Sequence, residues 1–382
     1  MPGADPAELA RQLADTRAAL NLVWMLLCGF LVMFMQAGFA LVETGMTRAK
    51  NAAHTMGMNL LVYSIGILGY WSLGFALQMG GVGALTSLGG DATLSNEFVV
   101  EVAGKEWGLF GMSGFFLSPA VFTPAIAGLF LFQMMFMDTA ATIPTGALAE
   151  RWKFLSFILF SFVLSTLIYP VYANWVWGGG WLSALGRNAG LGHGHVDFAG
   201  SSAVHMTGGV AAFVGAKLLG PRIGKFSRDG SANAIPGHSI PLLVTGTFIL
   251  TFGWFGFNAG STLAGTDSRI AVVAVNTMLS SAAGALAACI YVWLRFGKPD
   301  VTMMCNGMLA GMVAITAPCA FVSAPAAVLI GAVAGVLVVV AMVFVETRLR
   351  IDDPVGAVAV HGANGLWGVL ALGLFADGTY GN

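Results

Sequence analysis

The chain has 382 residues, 57% of them hydrophobic and 9% charged, with 52 glycines and a net charge of −1. Soluble domains carry about 25% charged residues, so a water-facing surface cannot be built from this composition. The balance of 17 basic and 18 acidic residues excludes a nucleic-acid footprint or an acidic tail. A single polytopic membrane domain remains.

In chain order, residues 1–19 contain Asp5, Glu8 and Asp15 and lack the basic start of a signal peptide. They read as an extracytoplasmic, amphipathic lead-in that begins at Asp5-Pro6. The membrane domain follows over 20–376, and 377–382 is a short chain end. A bilayer core needs about 20 apolar residues per helix. Such runs occur at 20–42, 58–80, 125–147, 153–176, 201–220, 239–262, 270–294, 302–322, 324–345 and 355–375. Between the second and third lie Asp91, Glu97, Glu101, Glu106 and Trp107, which predict an extramembrane loop with a short interfacial helix. Cys28, Cys289, Cys305 and Cys319 are scattered through apolar runs without paired spacing. They predict neither a disulfide framework nor a metal site. No HExxH or nucleotide loop appears, and no cofactor is expected.

The connecting segments sort the basic residues. Twelve (Arg48, Lys50, Arg151, Lys153, Lys217, Arg222, Lys225, Arg228, Arg295, Lys298, Arg348 and Arg350) fall on one side, and five (Arg11, Arg17, Lys105, Arg187 and Arg269) on the other. Cytoplasmic loops attract Lys and Arg, so the larger set faces the cytoplasm and the N-terminus lies outside. Ten spans return the C-terminus outside.

The string A-V-H-x-x-x-G occurs at Ala203-Val204-His205 with Gly209 and again at Ala359-Val360-His361 with Gly365. Each copy closes one half of the span list. Two five-helix halves have opposite topology, because five is odd, and inverted repeats place substrate sites near the midplane where the halves meet. Ionisable groups within spans are expensive and face a pathway or a partner. His205, His361 and Asp138 are the conspicuous ones. Both histidines reach towards the bilayer middle, where two neutral imidazoles could bridge through one hydrogen bond. Taken singly, each would equally suit a buried imidazole satisfied by a carbonyl. His54, His193, His195 and His238 sit at span ends or in loops and read as solvated surface groups.

Several motifs in order resemble the ammonium transporter (Amt/Mep/Rh) family, on its Amt side. They are Phe132-Gln133-Met134-Met135-Phe136, Gly146-Ala147-Leu148-Ala149-Glu150-Arg151, Trp177-Gly178-Gly179-Gly180 and Asp197-Phe198-Ala199-Gly200 ahead of His205. Gly253-Trp254-Phe255-Gly256-Phe257-Asn258-Ala259-Gly260-Ser261 and Asp352-Asp353-Pro354 leading to His361-Gly362 complete the set. The resemblance implies an all-α bundle of two inverted five-helix repeats, assembled as a homotrimer in the plasma membrane. The cytoplasmic membrane of a bacterium or archaeon is expected. It implies an outer recruitment site for ammonium, with methylammonium as analogue, made by Trp177, Phe136 and Ser261. Aromatic faces attract a cation and a hydroxyl accepts an N–H bond. Asp197 would hold that site together and supply negative potential. Phe136 and Phe257 would form a stacked gate beneath it, and His205 and His361 the pore and proton relay. Gln133, Trp254 and Asp138 are secondary candidates.

Asp138 stands where the family pattern carries a small residue. It is expected to face the bundle interior, bonded to Thr139 or a backbone group, with a pore-facing relay as the alternative. The sequence stops at Asp377-Gly378-Thr379-Tyr380-Gly381-Asn382, which predicts a missing eleventh helix and cytoplasmic tail relative to that pattern. Control by a PII-type regulator, or an attached signalling domain, would depend on such a tail. The leading expectation is an electrogenic ammonium transporter, not an enzyme. The alternative is an ammonium sensor that uses the same site with little or no flux. An uncharged gas channel of Rh type is disfavoured by Trp177 and Ser261. A serine hydrolase built on Gly111-Met112-Ser113-Gly114 lacks an evident His partner.

Overall fold

A computed structural model describes residues 5–380. Residues 1–4 of the expected lead-in and 381–382 of the expected chain end lie outside the described residues. Among the described residues, nine helices are long and apolar enough to cross a membrane: α1 Pro6–Met46, α2 Ala49–Met79, α3 Pro124–Ala147, α4 Phe154–Trp177, α5 Ser201–Leu219, α6 Ile240–Ala259, α7 Arg269–Phe296, α9 Ala324–Thr347 and α10 Val358–Phe375. A tenth, α8 Val301–Ile315, is shorter.

Polar caps and early prolines start these helices. Asp5 accepts the Ala7 N–H ahead of Pro6, Thr123 accepts that of Ile126 ahead of Pro124, and Asp300 accepts those of Thr302 and Met303. The first helix is continuous for 41 residues, about 60 Å at 1.5 Å per residue. Its first turns therefore extend beyond a hydrocarbon core of about 30 Å, and the expected lead-in is the exposed start of this same helix. The expected run at 302–322 is helical only as far as Ile315. Pro318, which lacks an N–H, lies in an irregular segment after Ile315 that is buried inside the protein. Carbonyls of Thr316 and Ala317 there accept the N–H groups of Ala199 and Phe198. Such backbone is tolerated at membrane depth only when protein surrounds it.

The stretch after α2 corrects the expectation of an interfacial helix. It forms an antiparallel hairpin of β1 Glu97–Val102 and β2 Lys105–Gly111. Its tip is Ala103-Gly104, both at positive φ of 55° and 71°, the backbone of a tight two-residue hairpin turn. Ser113, just beyond, donates to the Gly80 carbonyl at 2.6 Å and belongs to this loop's scaffold.

Packing repeats with a shift of five helices. Contacts of α1, α2 and α5 with α3 in the first half are matched by contacts of α6, α7 and α10 with α8 in the second. Pairs α1–α6 and α5–α10 join the halves. Helix α3 lies at the centre: 83% of its most apolar stretch is buried, against 33–50% for the other long spans. At the junction of α5 and α10, a Cβ on Gly209 would lie 2.2 Å from the Gly362 nitrogen, so the two backbones touch only because residue 209 has no side chain.

On the face rich in basic residues, four connections are tied together. Glu150 pairs with Arg48 and, at 3.1 Å, with Arg222. The Arg222 fork reaches Asp352 through Nε at 2.9 Å and Nη2 at 3.0 Å. Burial alone would raise the Glu150 carboxyl, but the Arg48 hydrogen bonds and the Arg222 charge hold it below its ordinary value. Burial opposes ionisation of Asp352 in the same way, and Arg222 more than offsets it.

Candidate functional site

Five π turns interrupt the helices among the described residues, and three of them carry Phe257, His205 and His361. A π turn inserts a residue and re-aims the side chains after it, and such turns gather at functional sites. The turn at Ser201–Met206 is set by Asp197. Its Oδ1 accepts the N–H groups of Gly200 and Ser201 at 2.9 and 2.8 Å. Its Oδ2 accepts the N–H groups of Ser202 and Ala203 and the Ser202 hydroxyl, at 2.7, 2.9 and 2.7 Å. Five donors occupy about four lone-pair directions, leaving no oxygen free for a ligand. Asp197 therefore builds the site and does not line it. Gly200, at φ 116°, brings the backbone against the Trp177 ring, which a Cβ would approach to 3.1 Å.

From the side of the hairpin, the site is a column of rings. Trp177 is half-buried, its indole N–H held by the Asp197 carbonyl at 2.7 Å. Its ring meets Phe136 edge-on, with centroids 6.1 Å apart at 75°. Ser261, also half-buried, donates its hydroxyl to the Phe257 carbonyl at 2.8 Å, which keeps its lone pairs available as acceptors. Below these, Phe136 and Phe257 stack at 4.1 Å and 18°, both buried. His205 lies next, 5.3 Å from the Phe257 ring and 5.2 Å from Trp254, nearly parallel to each. Trp254 is fixed by an indole bond to Thr316 Oγ1 at 3.1 Å. His205 Nδ1 and His361 Nδ1 are 3.2 Å apart, so one ring donates and the other accepts. His205 Nε2 is buried with no partner among the described residues.

Apart from Asp197, which supports the column from behind, the sequence-predicted residues thus assemble along one line, with two exceptions. The Gln133 amide oxygen is taken by Gln78 Nε2 at 2.9 Å, and Gln78 accepts the Tyr70 hydroxyl at 2.7 Å. Asp138 is two residues beyond Phe136, a turn of about 200° around the helix, and lies beside α2. A Cβ on Gly66 would be 3.9 Å from its Oδ1. The expected bond to Thr139 does not form, because that hydroxyl donates to the Met135 carbonyl, and Asp138 Oδ1 has no partner among the described residues. The geometry speaks against a pore-facing Asp138.

Other residues were missed. His195 is half-buried, and its Nε2 lies 3.0 Å from the Ser202 hydroxyl that bonds Asp197. His238 lies 2.8 Å from the Thr47 carbonyl through Nδ1. His195 is therefore not the solvated group expected, because the capping contacts around Asp197 draw its loop inward, whereas His238 is exposed as expected. The only available signal for His195 was its position two residues before a helix-capping Asp. Among the described residues no cluster of His, Cys, Asp or Glu could hold a metal ion.

Comparison with known proteins gives this architecture its relatives. Residues 23–381 match the model of the Ammonium Transporter Family. Ammonium transporter Amt2 of Archaeoglobus fulgidus is 47% identical over 99% of this chain and 76% of its own length. Ammonium transporter Amt1 of Haloferax mediterranei is 40% identical over 94% of this chain and 68% of its own. Among solved structures, one described as Sensor Amt Protein superimposes with a TM-score of 0.85 at 36% identity, covering 96% of this chain and 85% of that one. Candida albicans Mep2 superimposes with a TM-score of 0.78 at 29% identity, covering 94% and 73%. A family match along nearly the whole sequence, together with relatives of this identity and coverage, shows that the chain belongs to the ammonium transporter family, whose members are multi-pass membrane transporters and not enzymes.

Proposed function

We propose that this chain recruits ammonium at Trp177, Phe136 and Ser261, strips its proton near the Phe136–Phe257 stack, and conducts ammonia past His205 and His361 while the proton moves separately along the imidazoles. Net transfer is electrogenic. The observation that carries the reading is the histidine pair, 3.2 Å apart between Nδ1 atoms beneath a closed ring stack, with His205 Nε2 unpartnered. A buried polar atom without a partner demands a use, and an apolar column admits a neutral molecule far more readily than a bare cation. Trp177 presents an aromatic face to a cation, and Ser261 presents an acceptor to an ion that donates N–H bonds. Potassium, which donates none, would meet that hydroxyl only through an undirected ion–dipole contact.

Convergence of the basic connections on one face supports a cytoplasmic assignment for that face, with the N-terminus outside. A homotrimer with one pore per protomer in the cytoplasmic membrane follows the family arrangement. The test is solid-supported-membrane electrophysiology on proteoliposomes. Ammonium should evoke current, methylammonium a smaller one and potassium none, and His205→Leu or His361→Leu should abolish the response. Wild-type currents from either variant would sink the proposed role of the pair. Well-folded wild-type protein without ammonium current would reject transport itself.

A further inference from the structure

The mechanism above leaves the proton on the imidazoles, and the structure holds a buried acid beyond them. Glu43 lies near the end of α1 that meets the basic face, 2% exposed, and forms no ion pair among the described residues. It borders a cavity of about 20 Å³ whose wall also includes His361, Phe39, Asn306 and Val355. A space of that size has room for one water, for which roughly 10–15 Å³ suffices.

Hydrogen counting around Glu43 is informative. Asn59 Nδ2 donates to Oε2 at 2.6 Å. The Thr145 hydroxyl lies 2.7 Å from each carboxyl oxygen and 2.6 Å from the Thr142 carbonyl. Thr145 has a single hydrogen for these three acceptors. If Glu43 is ionised, that hydrogen turns to the carboxylate and the Thr142 carbonyl faces a bare oxygen. If Glu43 carries a proton on Oε1, it donates to Thr145, which donates to Thr142, while Oε2 keeps the Asn59 donor, so both the acid and the Thr142 carbonyl have a partner. Rotation of one hydroxyl therefore serves both states with no heavy atom displaced, which is what a group that repeatedly gains and loses a proton requires.

Resting on the proposed twin-histidine relay, we propose that Glu43 is the next proton acceptor after His361, through a single water in the shared cavity. The imidazolium gives its proton to that water, which passes one of its own to the Glu43 carboxylate, so His361 becomes neutral and Glu43 an acid. Glu43 then releases the proton towards the larger cavity of about 460 Å³ bordered by Met46, Asp353, Arg222 and Lys225. The 353–360 segment walls both spaces. The other groups facing Glu43 are Asn59 from α2, Thr145 from α3 and the Asp353 carboxylate, which is bound to the Gly356 and Val358 N–H groups.

Glu43→Gln tests this, since the amide reproduces the shape and donor of the acid form but cannot shuttle a proton. In proteoliposomes, ammonium-evoked current should fall roughly a hundredfold, while influx of neutral ammonia, read from an internal pH dye, and the melting temperature stay near wild type. Unchanged current overturns the proposal. Equal loss of current and ammonia influx overturns it too, since Glu43 would then only shape the pore. If Glu43→Gln does not fold, Thr145→Val decides: it removes the rotating hydroxyl, and wild-type current would refute the relay. Wild-type protein silent towards ammonium would instead reject the transport reading beneath it.

Discussion

Replacing Asp197 by Asn separates two accounts of this residue. As a source of negative potential at the mouth, its charge would matter and its geometry would not. As the cap of the π turn that carries His205, both oxygens are indispensable. Asn keeps one oxygen, which can serve either the Gly200 and Ser201 pair or the Ser202 and Ala203 pair, and flipping the amide only exchanges which pair is stranded. The Ser202 hydroxyl can rotate to accept, so two buried backbone N–H groups lose their acceptor. At roughly 1–3 kcal/mol for each stranded donor, Asp197→Asn should destabilise the protein by about 2–6 kcal/mol, above the ~1 kcal/mol typical of losing an ordinary N-cap. Thermal unfolding of the detergent-solubilised protein reads the change directly. Ammonium current should fall with it, because the turn positions His205 against His361. A variant with wild-type melting behaviour and only a salt-dependent loss of ammonium affinity would refute the capping argument and restore the electrostatic one.

Other consequences follow from the same contacts. Trp177→Leu should raise the half-saturating ammonium concentration about 2- to 30-fold, the equivalent of a cation–π contact of roughly 0.5–2 kcal/mol, as measured from current amplitudes; an unchanged midpoint would remove Trp177 from recruitment. Arg222→Met strands the buried Asp352 and removes one partner of Glu150, and should lower stability by about 3–5 kcal/mol in chemical denaturation, with Arg222→Lys intermediate because an ammonium cannot reproduce the fork. Glu97 lies outside the membrane at the base of the hairpin, where burial raises its carboxyl from 4.5 to about 7 against a weaker opposing bond from Asn174. The folded state therefore holds this proton after the unfolded state has lost it, so hairpin stability should decline as pH rises from about 4.5 to about 7 and level off above. Limited proteolysis across that window should register the decline, and Glu97→Gln should abolish it.

Much of this organisation is legible in the sequence because membrane constraints are severe. Long apolar runs, the two-sided sorting of Lys and Arg and the doubled A-V-H-x-x-x-G string lead to the helix order, the halves and the histidine pair. What escaped depends on geometry that composition does not encode. The hairpin was missed because its tip uses Ala103 in a left-handed conformation that alanine seldom adopts. Pro318 marks a stop, yet nothing local reveals that the irregular segment around it is shielded by the backbone at Phe198 and Ala199. Asp138 could not be oriented from its type alone and needed the phase of α3 relative to Phe136. His195 and Glu43 resemble ordinary loop and helix-end residues until the chain brings Ser202 to one and the His361 cavity to the other.

The contact between Gly209 and Gly362 has a consequence for how this protein can change. Spacing between the two imidazoles is inherited from main-chain atoms that already touch, 2.2 Å from where a methyl group on residue 209 would sit. The neighbouring aromatic and aliphatic side chains can be exchanged for others of similar volume, since such swaps are absorbed by repacking. Adding one carbon at residue 209 has no such outlet, because the obstruction is backbone. The halves would have to part, and a separation of tenths of an ångström at the helices is enough to lengthen a 3.2 Å contact past hydrogen-bond reach. A substitution that touches neither ring can thus break the contact between them, and residue 209 has little room for drift.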